Sequence, residues 1–166
     1  MSDASPDLRP RVAAAIARFG RTHAKVLPLR LRLADELLAR HLDDEAFMVL
    51  DELVRDCEAD LGPRHETTLV LANNRAMRLA ERARAGGVEQ LAALLPVASE
   101  TWGSLDRRTL LLRSNLAAAT GMAGRPADAI AQLEALLEQR DALDDDAIDT
   151  IRSNLASWRE RASRGS

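Results

Sequence analysis

A chain of 166 residues, 46% hydrophobic and 30% charged, is long enough to bury a sizeable core as one domain or one short repeat array. A net charge of −3 gives nucleic acid no global attraction. A single cysteine, Cys57, excludes an internal disulfide and a cysteine-based metal cluster, and no run approaches the roughly 18 apolar residues of a membrane span.

The first ten residues, "MSDASPDLRP", carry no apolar core of signal-peptide type, so a soluble, cytoplasmic protein is expected. Residues 1–6 are expected to be disordered, residues 7–162 to form a single domain, and residues 163–166 to be a disordered tail. "DLRPRVAAAIARF" reads as a solitary helix over residues 7–19. Residues 1–40 hold eight Arg or Lys against four Asp or Glu (+4), while the rest hold 15 against 22 (−7). Such unevenness is first a solvated surface.

Residues 23–61 form the first complete unit. "KVLPLRLRLADELLAR" gives one helix, "HLDD" turns the chain, and "EAFMVLDELVRDCEADLG" gives the second, with Asp43 or Asp44 as its cap. Ala46, Phe47, Leu50, Leu53, Val54 and Cys57 recur at the spacing of a helical stripe. The unit over 65–102 places Gly87, Val88, Leu91, Leu94 and Leu95 on the equivalent stripe, and Pro96 inside that helix predicts a bend. Over 106–141 the stripe is Ala129, Ile130, Leu133, Leu136 and Leu137. A terminal helix over 145–162 follows, capped from Asp144–Asp146.

These units are copies. Gly20 and His23 align with Gly62 and His65 at an offset of 42, and "TLVLANNRA" aligns with "TLLLRSNLA" at 41. "DTIRSNLASW" then places Asn154 on Asn115 at an offset of 39. The recurrence of His23 and His65 in equivalent loops marks them as caps, not catalysts. Cys57 lies on an apolar stripe and reads as core. No nucleophile elbow, metal-ligating histidine spacing or glycine-rich phosphate loop occurs, so no enzyme activity, metal or cofactor is expected. Four aromatics and no tyrosine leave no stacking platform for nucleic acid.

Leu61-Gly62-Pro63-Arg64-His65, Thr68-Leu69, Asn115-Leu116-Ala117 and Gly124-Arg125-Pro126 through Ala129-Ile130 resemble tetratricopeptide repeats of the long-period, kinesin-light-chain and actinobacterial type. The resemblance spans about residues 7–160. It implies an all-α fold, a right-handed superhelical solenoid of antiparallel helix pairs with about eight helices. Three departures are Arg32 at the asparagine site of the first unit, Arg75 at the leucine site of the second, and Ile148-Asp149 in place of Thr-Leu in the fourth.

In the family, first helices line the concave face and their asparagines bond the backbone of an extended peptide. Carried over, that face holds Leu31, Arg32 and Asp35, then Asn73, Asn74 and Met77, then Ser114, Asn115 and Ala118, then Ser153, Asn154 and Ser157. An amide offers one donor group and one acceptor, which suits a peptide backbone. Asn74, Asn115 and Asn154 therefore either contact a ligand or brace neighbouring helices, and Arg32 either meets an acidic group or pairs with Asp35 or Glu36. The expected function is a non-enzymatic adaptor that binds a peptide segment of another protein, with no nucleic acid and no membrane as partner. The alternative is an assembly or regulatory subunit, including a homodimer, acting through its terminal helices, with Trp158 as an exposed docking residue.

Overall fold

The computed structural model describes residues 8–139, 141 and 143–164, which form α-helices and no strand. The order is α1 (Arg9–Phe19), α2 (Leu27–Ala39), α3 (Asp43–Leu61), α4 (Glu66–Glu81), α5 (Gly87–Trp102), α6 (Arg107–Met122), α7 (Pro126–Leu137) and α8 (Asp145–Arg164). Short loops lay α1, α2 and α3 side by side as antiparallel neighbours, and likewise α5, α6, α7 and α8. The expected disordered N-terminus, residues 1–6, lies outside the described residues. At the other end α8 takes in Ser163 and Arg164, two residues of the expected tail, and residues 165–166 lie outside.

Two compact units divide within α4, one ending at Leu71 and one beginning at Ala72. In the first, the stripe of α3 packs on α2: Ala46, Phe47, Leu50, Leu53 and Cys57 are buried. Leu53, Cys57 and Leu71 form its centre, with Leu27, Leu31 and Val54 at the edge. Leu31, partly buried, thus packs against this core from the apolar side of α2. Full burial of a leucine such as Leu53 contributes about 2 kcal/mol. Asp43 and Asp44 lie in the first turn of α3, not at its cap, which is Leu42 and makes no side-chain bond. They act on the exposed helix N-terminus as charges.

In the second unit, one cluster joins Ala76 of α4, Leu91 and Ala98 of α5, and Leu112 and Ala119 of α6. Another joins Leu110 and Ala117 of α6, Ala129, Leu133 and Leu136 of α7, and Ile151, Leu155 and Trp158 of α8. Trp158 is thus buried, which overturns its expected role as an exposed docking residue. The reason is Gly121: a Cβ there would stand 2.6 Å from the indole, so a bare backbone makes the seat for the ring. Gly87 does the same for α4, where a Cβ would come within 2.8 Å of the Ala80 nitrogen. Helix α5 runs on through Pro96 to Trp102.

The repeat is written into the turns as well. At the cap before each first helix, His23 Nδ1 accepts from the Lys25 N–H at 3.1 Å and His65 Nδ1 from the Thr67 N–H at 3.2 Å. Asp106 Oδ1 does so for Arg108 N–H at 2.9 Å and Asp144 Oδ1 for Ala147 N–H at 2.8 Å. Inside each helix pair the turn passes through a left-handed residue, His41 (φ 59°), Ala83 (φ 51°) and Gly124 (φ 81°) in succession. Buried threonines tie the first helix to the one before it. Thr68 donates to the Cys57 carbonyl at 3.2 Å, and Thr109 donates to the Ala98 carbonyl at 3.4 Å.

Candidate functional site

The family-like face of the second unit is built from α4, α6 and α8. Asn73 and Asn74 sit half-buried on α4, beside Met77, whose thioether side chain packs on the Leu91 cluster. Asn115 and Ala118 are half-buried on α6, and Ser114 is buried. On α8, Asn154 is half-buried while Ser153 and Ser157 are exposed.

One contact organises these amides. Asn115 Nδ2 donates to Asn73 Oδ1 at 3.1 Å, linking α6 to α4. Asn74 is the repeat equivalent of Asn115 at the 41-residue offset, and the bond goes to the residue before it. That bond uses one donor of Asn115 and the carbonyl of Asn73. It leaves the Asn115 carbonyl and the Asn73 amino group, one acceptor and one donor set, on the same half-buried face. Neither Asn74 nor Asn154 makes a side-chain hydrogen bond among the described residues.

In the first unit, Arg32 is exposed on α2 and its Nε donates to Glu36 Oε1 at 3.3 Å, one turn on. Asp35 is exposed on the same helix. The arginine that sequence reasoning missed is Arg30, which is buried. Its Nη1 bonds Asp56 Oδ2 at 2.7 Å and the Arg21 carbonyl at 3.3 Å. Arg30 falls on the apolar side of α2 between Leu27 and Leu33, and that placement is the signal that foretells burial.

A second feature of the second unit is an apolar cavity of about 390 Å³ between α6 and α8. Leu110, Leu111, Leu143, Ala147 and Ile151 supply its walls, with Arg107, Arg108 and Asp146 among the polar lining. Arg108 bonds Asp106 through Nε at 2.9 Å and Nη2 at 3.0 Å. Those guanidinium bonds, with the Arg108 N–H at the cap, hold the Asp106 carboxyl down at about 2. Burial pushes the Cys57 thiol up, Asp56 and Asp60 adding to the shift against the opposing charge of Arg30. A protonated, enclosed thiol is a poor nucleophile.

No set of three or more His, Cys, Asp or Glu side chains among the described residues is arranged to hold a metal ion. No helix among them is long and apolar enough to cross a membrane. No protein-family model matches the chain. No curated protein matches it. Among solved structures, it is similar to a protein from Podosopora anserina described as a kinesin light chain of nearly identical TPR-like repeats. The two share 20% identity over 95% of this chain and 76% of that one, with a TM-score of 0.71. At that identity the likeness establishes the fold, an all-α array of tetratricopeptide-like helix pairs.

Proposed function

We propose that this protein is a non-enzymatic interaction module that holds an extended segment of another protein against the faces of α4, α6 and α8. Its groove is formed by Asn73, Asn74 and Met77, by Ser114, Asn115 and Ala118, and by Ser153, Asn154 and Ser157. The observation that carries this reading is the Asn115–Asn73 pair, which leaves a complementary acceptor and donor on a half-buried face of two consecutive first helices. A peptide backbone needs both kinds of partner in alternation. Asn74 and Asn154, with no side-chain bond among the described residues, extend the same recognition along α4 and α8. Arg32 and Asp35 on α2 are proposed separately as contacts for charged groups of a partner.

Panning a random peptide library on the full chain tests this. Enriched peptides are expected to bind the wild type and to lose about tenfold in affinity in the Asn74→Ala, Asn154→Ala double variant, two hydrogen bonds' worth. Failure to enrich any peptide, or unchanged affinity in that variant, defeats the proposal.

A further inference from the structure

The corner between α1 and α2 repeats the corner between α5 and α6 with one charge missing. Each turns at a glycine of nearly the same backbone, Gly20 (φ 89°, ψ 163°) and Gly103 (φ 102°, ψ 150°). An aromatic ring precedes each glycine, and a cation from the following helix entry lies over it. Lys25 Nζ is 5.2 Å from the centre of the Phe19 ring, and the Arg108 guanidinium is 4.6 Å from that of Trp102. Between glycine and cation stands the cap, His23 in one corner and Asp106 in the other. Each accepts the backbone N–H of the cationic residue.

The corners differ in what answers the cation. Asp106 takes side-chain bonds from Arg108 at 2.9 and 3.0 Å, so that corner closes its charge internally. His23 offers Lys25 no carboxylate and stacks instead on Phe19, with ring centroids 5.1 Å apart. A second cation, the Arg18 guanidinium, lies 5.0 Å from the centre of the same ring. Neither Arg18 nor Lys25 makes an ion pair among the described residues, and both are exposed. The carboxylates that α3 brings to this corner are already engaged, Asp56 by Arg21 and Arg30, and Asp60 by Thr22. The turn does not need the two free cations. In the α3–α4 corner Gly62 and His65 recur, while Asp60 stands in the place of Arg18, Leu61 in that of Phe19 and Thr67 in that of Lys25.

We propose that the α1–α2 corner docks an acidic segment of another protein, whose carboxylate takes beside Lys25 and Arg18 the place that Asp106 holds beside Arg108. Two cations held by one ring suit two carboxylates on alternate residues of an extended chain, about 7 Å apart. Because Phe19 already holds both side chains, less of their freedom is lost on binding. This surface shares no residue with the groove on α4, α6 and α8 and does not rest on that reading.

Three probes test it on the full chain at low salt by amide chemical-shift titration: a seven-residue peptide alternating glycine and glutamate, its glutamine counterpart, and a single-stranded oligothymidylate of equal length. The glutamate peptide is expected to bind, with shifts centred on Phe19, His23 and Lys25, and the glutamine peptide is not. Arg18→Gln with Lys25→Gln should weaken it about fivefold, and Arg40→Gln, which removes an exposed charge elsewhere, should leave it unchanged. His23→Asp keeps a cap of the kind Asp106 makes and gives Lys25 a carboxylate of its own, so it should weaken the peptide at least about fivefold while the helical signal is retained. No binding at millimolar peptide, shifts that map elsewhere, equal binding of the two peptides, tighter binding of the oligothymidylate, equal weakening by Arg40→Gln, or undiminished binding by His23→Asp each overturn the proposal.

Discussion

Asn115 on α6 and Asn73 on α4 are 42 residues apart in sequence and joined by an amide–amide hydrogen bond of 3.1 Å. The bond braces the two helices. Because the pair is half-buried, each single change to alanine is expected to cost about 1 kcal/mol of stability. The double variant should show a coupling of about 0.5–1 kcal/mol in a denaturation cycle. Strict additivity would show that the bond contributes nothing to folding.

Arg30, buried, pairs at 2.7 Å with the half-buried Asp56, which also faces Arg21 at 3.4 Å. Asp56→Leu takes the nearest counter-charge from the buried guanidinium and is expected to destabilise by about 3 kcal/mol, while Arg30→Met leaves Asp56 its Arg21 partner and should cost less. Arg30→Met with Asp56→Leu should recover most of the Asp56→Leu loss, since neither charge is then left in the interior. Urea unfolding of the three variants separates a stranded charge from lost packing: a double variant as unstable as Asp56→Leu alone would assign the cost to packing.

Ala83 holds φ at 51°, where the equivalent residue of the next turn is Gly124. An L-residue with a Cβ is strained there, and Ala83→Gly relieves the strain. A gain of about 0.5–1 kcal/mol is expected in thermal unfolding, against the usual direction for an alanine-to-glycine change. A loss of stability would mean that the turn is not left-handed in solution.

Asp106 caps α6, and the hydrogen bonds from Arg108 hold its carboxyl down at about 2, below the usual carboxylate range. Its folded pKa is depressed, so its contribution is complete above the unfolded value and is lost as pH falls through the folded one. The cap should therefore hold down to about pH 2. A carboxyl carbon titration by NMR checks the value, and Arg108→Ala should move the midpoint upward. Asp106→Ala should cost about 1 kcal/mol at neutral pH.

Gly121 faces the indole of Trp158 at a distance that admits no further carbon. Gly121→Ala forces the ring or the helix to move and is expected to cost about 1–3 kcal/mol. At Gly124, where a Cβ would meet nothing within 4 Å, the cost of alanine is one of backbone conformation only. Calorimetry on both variants, with Trp158 accessibility measured by quenching, distinguishes steric displacement from turn strain: only Gly121→Ala should expose the indole.

The helices and their pairing were legible in the sequence because each rests on local signals. The 3.6-residue stripe of α3 is one, and the Gly-Arg-Pro turn before α7 is another. The recurring cap was also visible, as His23 and His65 in equivalent places. Less of the candidate site was legible. That Asn115 bonds Asn73, and not its repeat equivalent Asn74, depends on how α4 and α6 are rotated against each other, which equivalence between repeats does not encode. Trp158 looked exposed because it stands near the chain end, and the absence of a side chain at Gly121 is a weak signal for a neighbour 37 positions away. The cavity at Ser114 arises where α6 and α8 fail to fill the space between them, a property of shape and not of residue order.

The two tryptophans bear on how this protein reports its own state. Trp102 and Trp158 both lie beyond Ala72, and the chain has no tyrosine. Each ring sits under a guanidinium, Arg108 over Trp102 and Arg161 over Trp158, both at 4.6 Å. Intrinsic fluorescence is consequently a one-sided instrument: it watches the unit beginning at Ala72 and is blind to the unit ending at Leu71, whose melting registers only in far-ultraviolet ellipticity.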